Sequence, residues 1–243
     1  MNGLNRLKKL MVVLAVAAVV AWLPTGAEAT ITYTLDFVFS GEQPANTGPW
    51  GTISFTTVGS DTAVTMTALG GATGLVASEF ITFWGFNTTD TSFTAPSTVS
   101  GAATGTIAVC PTDPCTTNGF RANGDGYYDI VASFTTANNP GRLTAGESVS
   151  FTILGATEDS FSPLSNAGGG TGTYNTAMHI QGVGGTGCSA WVGNSTSTGA
   201  VGAGTGTACA SVPEPTSLLL LGTGLFGVFL FVQIRGRRCA IGA

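Results

Sequence analysis

The sequence predicts an all-β fold for residues 30–210, a two-sheet antiparallel sandwich of the jelly-roll kind, with a barrel as the alternative architecture. Threonine, serine, glycine, β-branched and aromatic residues dominate this region, whereas lysine, glutamate, leucine and arginine, which favour exposed helices, are scarce. Short runs of alternating apolar and polar residues recur between turn-forming residues. No window of about 11 residues shows the 3.6-residue period of an amphipathic helix.

The first predicted strand shows the clearest alternation. Its apolar face holds Ile31, Tyr33, Leu35, Phe37 and Phe39. The opposite face holds Thr32, Thr34, Asp36 and Val38. Further strands are predicted at 51–58, 63–69, 80–86, 105–110, 127–135, 148–154, 174–183 and 190–192. So many short strands with turns between them are typical of a sandwich rather than of βαβ units.

Residues 1–29 have the three parts of a secretory signal peptide. Three basic side chains precede an apolar run at 10–23, and Ala27-Glu28-Ala29 forms a small-x-small cleavage site. The apolar run has 14 residues, fewer than the roughly 20 that span a bilayer. We therefore predict an N-terminal signal helix, cleavage after Ala29 and export of the chain.

The exported region is strongly acidic. Between residues 30 and 212 it holds eleven acidic side chains and two basic ones, Arg121 and Arg142, which gives a net charge of about −9. Proteins bind phosphate backbones through lysine and arginine, so this balance excludes nucleic acid as a partner. An acidic surface is compatible with cation binding, and it also favours solubility.

Four cysteines in the exported region predict disulfide bonds, because an even number in an exported chain favours pairing. They are Cys110, Cys115, Cys188 and Cys209. Four cysteines allow three pairings, and proximity in sequence favours Cys110 with Cys115 and Cys188 with Cys209. The spacing lacks paired Cys-x-x-Cys units, which disfavours a metal site.

The C-terminal segment 211–238 combines three elements in order. The first is the tetrapeptide Val212, Pro213, Glu214 and Pro215, which stays extended because both prolines lack an N–H. The second is the apolar run 216–234, whose 19 residues form a transmembrane helix of about 28 Å. The third is a basic cluster, Arg235, Arg237 and Arg238, which places this end of the helix in the cytoplasm.

These three elements make residues 211–238 resemble the PEP-CTERM sorting signal. The resemblance implies that an exosortase, a membrane-embedded cysteine enzyme, is a partner and processes the chain near the Pro-Glu-Pro triplet. It further implies an inner-membrane intermediate and a final place at the cell surface or in the extracellular matrix. Families with this tail are associated with exopolysaccharide and biofilm, so exopolysaccharide is a candidate partner. The alternative is an ordinary single-pass anchor.

The segment Asn123-Gly-Asp-Gly-Tyr-Tyr-Asp129 is the candidate calcium site. Asn123, Asp125 and Asp129 offer oxygen ligands at spaced positions, with glycines that let the backbone curl round a cation. The segment lacks the later acidic residue of an EF-hand loop. Asn-Gly and Asp-Gly are also common hairpin turns, and we favour the turn. No other cofactor is expected.

No catalytic residues are predicted. The chain has a single histidine, His179, and no Gly-x-Ser-x-Gly segment surrounds a serine. Trp50 and Trp191 are predicted at the surface, where they could stack on sugar rings, and Trp84 in the core. The sequence thus favours a non-catalytic surface or matrix protein; the alternative is a carbohydrate-binding module with weak Ca²⁺ support.

Overall fold

The computed structural model describes residues 28–110, 120–137, 141–166, 174–184 and 187–195. Backbone contacts divide the chain into two units, Met1–Gly206 and Thr207–Ala243, and every described residue lies in the first. The sorting tail 211–238, Cys115, Cys209 and the signal peptide up to residue 27 lie outside the described residues.

The described residues form eleven strands and no α-helix. The strands are β1 (Thr30–Gly41), β2 (Gly51–Val58), β3 (Asp61–Ala68), β4 (Phe80–Phe86), β5 (Ser100–Gly101), β6 (Gly105–Val109), β7 (Ile130–Phe134), β8 (Leu143–Thr144), β9 (Ser148–Ile153), β10 (Thr176–Val183) and β11 (Cys188–Asn194). A short 3₁₀ helix, Glu158–Phe161, follows β9. In the described ranges no helix is long and apolar enough to cross a membrane; the predicted helix 216–234 lies outside them.

All eleven strands belong to one antiparallel sheet, in the order β5-β9-β3-β2-β1-β11-β10-β4-β7-β6, with β8 beside β4. The two ends of this sheet meet through one segment. Thr98 bridges Thr106 of β6, and two residues later Ser100 pairs with Ser150 of β9. The sheet therefore nearly closes in a barrel-like way. The all-β class is confirmed, whereas the two-sheet sandwich is not.

A β-bulge in β1 changes which residues face the core. The pairing of β1 with β11 shifts register between Leu35 and Phe37 and again between Val38 and Ser40. A bulge adds a residue to one strand and reverses the alternation beyond it. Val38 is consequently buried in the core with Leu35, and Phe37 and Phe39 point outward. The prediction that Val38 shares the polar face is wrong.

Large aromatic side chains fill the interior of the sheet. Phe55 stacks on Phe161 with ring centroids 4.6 Å apart. Trp84 is fully buried, as predicted, and its Nε1 donates to Thr176 Oγ1 at 3.0 Å. Gly51 makes room for it, because a Cβ at that position would lie 2.8 Å from the Trp84 ring. Because these side chains are closely packed, we expect the interior of the sheet to tolerate few substitutions.

A second apolar cluster lies on the outer face of the same sheet. Its buried members are Ala122, Tyr128, Val131 and Ala177, and Phe39, Phe83, Phe120 and Trp191 pack against it. Segment 120–128 lies against this face, so strands β4, β7 and β10 are covered there on both sides. On this face, several aromatic side chains lie near the buried carboxylate of Asp125.

Candidate functional site

An aromatic ladder crosses the outer face of β1, β11, β10 and β4. It consists of Tyr174, Phe39, Trp191, His179 and Phe83. Phe39 stacks on Tyr174 at 4.8 Å, Trp191 on His179 at 4.5 Å, and Phe83 meets the Trp191 ring edge-on at 5.1 Å. Directly paired residues on adjacent strands bring such rings together, and His179 is the register partner of Trp191.

Trp191 is half-buried, and an aromatic side chain lies next to it on each of the two flanking strands. Phe39 on β1 lies 6.5 Å from it in a stacked arrangement, while His179 comes from β10, the neighbour on the other side of β11. Sugar stacking requires a ring face open to solvent. The packing thus leaves Trp191 less suited to a glycan platform than its sequence position suggests.

Trp50, the other predicted glycan-binding residue, lies in the core. Its side chain is only 2% exposed, and its Nε1 donates to the carbonyl of Asn46 at 3.0 Å. The prediction that Trp50 stands at the surface is wrong. Burial of so large an apolar side chain outweighs the exposure that the preceding glycine and proline favour.

His179 is a neutral, packed histidine. Its Nδ1 lies 2.9 Å from Thr82 Oγ1, a hydrogen bond, and its ring stacks on Trp191. Burial lowers the pKa of His179 from its ordinary 6.5 to about 4, because the charged imidazolium loses solvation. The side chain therefore serves packing at neutral pH.

This shift makes folding stability pH-dependent. In the unfolded chain His179 binds a proton below pH 6.5, whereas in the folded domain it binds one only near pH 4. The folded state thus loses stability as pH falls from about 6.5 to 4, and we expect the His179 contribution to be about 2 kcal/mol between pH 7.5 and 4.5. Urea unfolding of the wild type and His179→Gln at both pH values measures it. Carboxylates titrate in both proteins, so an equal pH dependence in the two would contradict the assignment.

The predicted calcium loop is a hairpin turn. Asp125 N donates to the carbonyl of Ala122 at 3.2 Å, and Arg121 pairs with Tyr127 across the turn. Gly124 adopts φ +104°, a conformation that glycine tolerates best. The segment has the turn backbone that its Asn-Gly and Asp-Gly pairs favour. Asn123 is exposed at its tip.

Asp125 is the acceptor of a buried hydrogen-bond centre, which we call the Asp125 centre and which comprises Asp125, Tyr128 and Ser165. Asp125 is 0% exposed. Its Oδ2 accepts hydrogen bonds from Tyr128 Oη and Ser165 Oγ, each at 2.6 Å. Burial, together with the Asp125 carboxylate, raises the pKa of Tyr128 well above its ordinary 10. The tyrosine hydroxyl therefore remains a donor.

Asp129, the other acidic residue of the predicted calcium site, has different hydrogen-bond partners from those of Asp125. Asp129 Oδ2 accepts a hydrogen bond from Thr88 N at 3.1 Å, and Asp129 N donates to Asn87 Oδ1 at 2.8 Å. Among the described residues no group of three His, Cys, Asp or Glu side chains could hold a metal ion. Calcium binding by Asn123, Asp125 and Asp129 stays a prediction.

The sequence did not indicate Tyr128 and Ser165 as partners of Asp125. Ser165 lies 40 residues further along the chain, next to the glycine-rich stretch that follows Asn166. A serine before such a stretch carries no pattern that would mark it as buried. Tyr128, three residues from Asp125, belongs to a predicted strand, and strand alternation does not show that its hydroxyl reaches back to Asp125.

Two of the four predicted disulfide cysteines are described. Cys110 directly follows β6, and Cys188 is the first residue of β11. Cys115 and Cys209, the partners that sequence proximity favours, lie outside the described residues. The pairing therefore stays a prediction.

A shallow acidic pocket of about 410 Å³ lies where the predicted signal peptide ends. Its lining residues are Glu28, Ala29, Thr57, Gly59, Thr157, Glu158 and Asp159. The Thr57 hydroxyl donates to the Glu158 carboxylate, and Glu158 N donates back to Thr57 Oγ1 at 3.0 Å. These two hydrogen bonds tie the end of β2 to the start of the 3₁₀ helix.

Comparison with protein families identifies the C-terminal segment. No curated protein and no solved structure is significantly similar to the chain. The family model of the PEP-CTERM protein-sorting motif matches residues 211–238, which contain the predicted Pro-Glu-Pro triplet, apolar run and arginine cluster. This confirms the family resemblance and supports an exported protein that exosortase sorts to the surface or the extracellular space. The chain carries a PEP-CTERM protein-sorting motif at residues 211–238.

Proposed function

We propose that this chain is a non-catalytic protein of the bacterial surface or extracellular matrix, sorted by exosortase and retained in the exopolysaccharide of a biofilm. The observation that carries the proposal is the sorting-motif match at residues 211–238. The ectodomain 30–210 is the cargo that this tail delivers.

The proposed route begins with the signal peptide 1–29, which starts export and is removed after Ala29. The helix 216–234 then halts transfer, and the cytoplasmic arginines fix its orientation. This inner-membrane intermediate presents the triplet Pro213-Glu214-Pro215 on the outer surface, where the extended backbone is accessible to exosortase. Processing releases the ectodomain from the helix.

The described ectodomain supports a structural role for its ionisable groups. His179, the only histidine of the chain, is packed. Asp125 holds two hydroxyl donors, and the fully buried Glu79 accepts the backbone N–H groups of Ala45 and Val76 at 2.9 and 3.0 Å. Carboxylates used in this way fasten loops to the sheet. They are poorly placed for acid–base catalysis, which requires a group within reach of substrate.

Replacing Pro213, Glu214 and Pro215 with alanine should block processing. In a host with the matching exosortase, we expect the wild-type ectodomain to leave the inner membrane without its C-terminal helix. The triple variant should remain full-length in the inner-membrane fraction, because the recognition segment is lost while the helix is kept. Immunoblots of fractionated cells measure this. Thr216→Ala with Ser217→Ala is the matched control and should be processed normally; release of the triple variant at the wild-type level contradicts the proposal.

Carbohydrate binding with weak Ca²⁺ support is the second candidate function. Since Trp50 is buried, this function would have to use the solvent-exposed part of the half-buried Trp191. A glycan array probed with the ectodomain, in calcium and in chelator, tests it. Binding that is lost in Trp191→Ala would favour this function over passive retention.

A further inference from the structure

The first residue of the folded domain is also the first residue after the predicted cleavage site. β1 begins at Thr30, whose register partner on β2 is Thr56. The two threonine hydroxyls lie 3.0 Å apart and form a hydrogen bond. No linker separates the sheet from the peptide bond between Ala29 and Thr30.

The carbonyl of that bond is itself part of the sheet. Thr57 N donates to the oxygen of Ala29 at 2.9 Å, which extends the pairing of β1 with β2 one residue beyond Thr30. Ala29 also lines the acidic pocket with Thr57 and Glu158. The peptide bond that a signal peptidase must cleave is therefore held by β2 in the folded domain.

A peptidase needs the same carbonyl oxygen. It stabilises the oxyanion with donors about 2.7–3.1 Å from that oxygen while a nucleophile attacks the carbon. It must also bind the flanking residues in its own cleft. Ala29 and Thr30 therefore have to separate from Thr56 and Thr57 before the enzyme can act.

The separation is opposed by contacts that begin within a few residues of the bond. Ile31 pairs with Phe55. Tyr33 packs edge-on against Phe55 at 6.2 Å, and its hydroxyl donates to the carbonyl of Phe161 at 3.1 Å. Opening the strand far enough to enter a protease cleft disturbs these core contacts.

We infer that removal of the signal peptide precedes the pairing of β1 with β2, so that the folded precursor is a poor substrate of signal peptidase. The inference rests on the export signal of the proposed function. In the reaction water adds across the Ala29–Thr30 bond and leaves a carboxylate on Ala29 and an ammonium group on Thr30. Thr30, which carries this ammonium group, is then the first residue of β1. Sorting at the C-terminal tail involves a different bond and is not subject to this order.

The test uses the full-length precursor in detergent with purified signal peptidase. Enzyme is added either immediately on dilution from urea or after refolding, which tryptophan fluorescence reports. A matched variant carries Gly-Ser-Gly-Ser between Ala29 and Thr30, which moves the cleavage site about 13 Å from the sheet while it keeps Ala27-Glu28-Ala29. Cleavage is followed by mass spectrometry of the new N-terminus.

We expect the freshly diluted wild type and variant to be cut after Ala29 at equal rates. After refolding, the wild type should be cut at least about tenfold more slowly than the variant, because proteolysis follows the population of the open state. Equal rates for the two refolded proteins would overturn the order of events. Failure of the freshly diluted wild type to be cut after Ala29 would instead overturn the export signal, and the inference with it.

Discussion

Replacing Trp84 with alanine should lower the free energy of unfolding of the ectodomain by about 3 to 5 kcal/mol. The indole is fully buried in the sheet interior, so its removal leaves a large cavity. It also removes the donor to Thr176 Oγ1. The Thr176 hydroxyl donates in turn to the carbonyl of Gly85 at 2.9 Å, so a buried hydrogen-bond chain is broken. Urea unfolding followed by circular dichroism gives the value.

Trp191→Ala is the matched control for the Trp84 variant. It removes the same side chain from the outer face, where the ring is half-buried and the strands can relax toward solvent. We expect a loss of about 1 to 2 kcal/mol, in proportion to the smaller buried area. Equal losses in the two variants would contradict the assignment of Trp84 to the interior and Trp191 to the outer face.

Asp125→Ala should destabilise the ectodomain by about 2 to 4 kcal/mol. The change leaves the hydroxyl groups of Tyr128 and Ser165 without their buried acceptor, and each unsatisfied buried donor costs about 1 to 3 kcal/mol. The gain from removing a buried charge offsets part of this. Thermal and urea unfolding in millimolar calcium and in chelator measure the loss.

Asp125→Asn separates the hydrogen bonds from the charge. It keeps one oxygen acceptor at nearly the same place and should lose less stability than Asp125→Ala. If Asp125 acts only as an acceptor for Tyr128 and Ser165, the loss is the same with and without calcium. A loss of unfolding free energy that is larger in calcium than in chelator would instead place Asp125 in a cation site. A loss below about 0.5 kcal/mol for Asp125→Ala would contradict the buried Asp125 centre.

Local patterns predicted many of the strands well. The bounds of β2 and β4 agree with the sequence prediction at both ends, because each is a run of β-branched and aromatic residues next to turn formers. The burial of Trp84 followed from its place in such a run. The turn at Asn123-Gly124 could also be predicted from the sequence, because these residue types tolerate the backbone conformation of a tight turn.

Features that depend on a distant partner could not be predicted in the same way. The bulge that turns Phe37 and Phe39 outward arises where β1 pairs with β11, more than 150 residues away. Near-closure of the sheet depends on Ser100, in a two-residue strand too short to show alternation. Trp50 follows turn residues, and sequence position alone does not tell whether such a side chain turns toward solvent or toward the core.

Intact mass of the exported protein, compared between cells with and without the exosortase gene, tests the central claim most directly. In cells with the enzyme, the account predicts a mature protein that begins at Thr30 and ends near Pro213-Glu214-Pro215, without residues 216–234. In cells without it, the protein should keep the whole segment 211–238 and stay in the inner membrane. The same mass from both strains, with the C-terminal helix retained, would contradict sorting by exosortase.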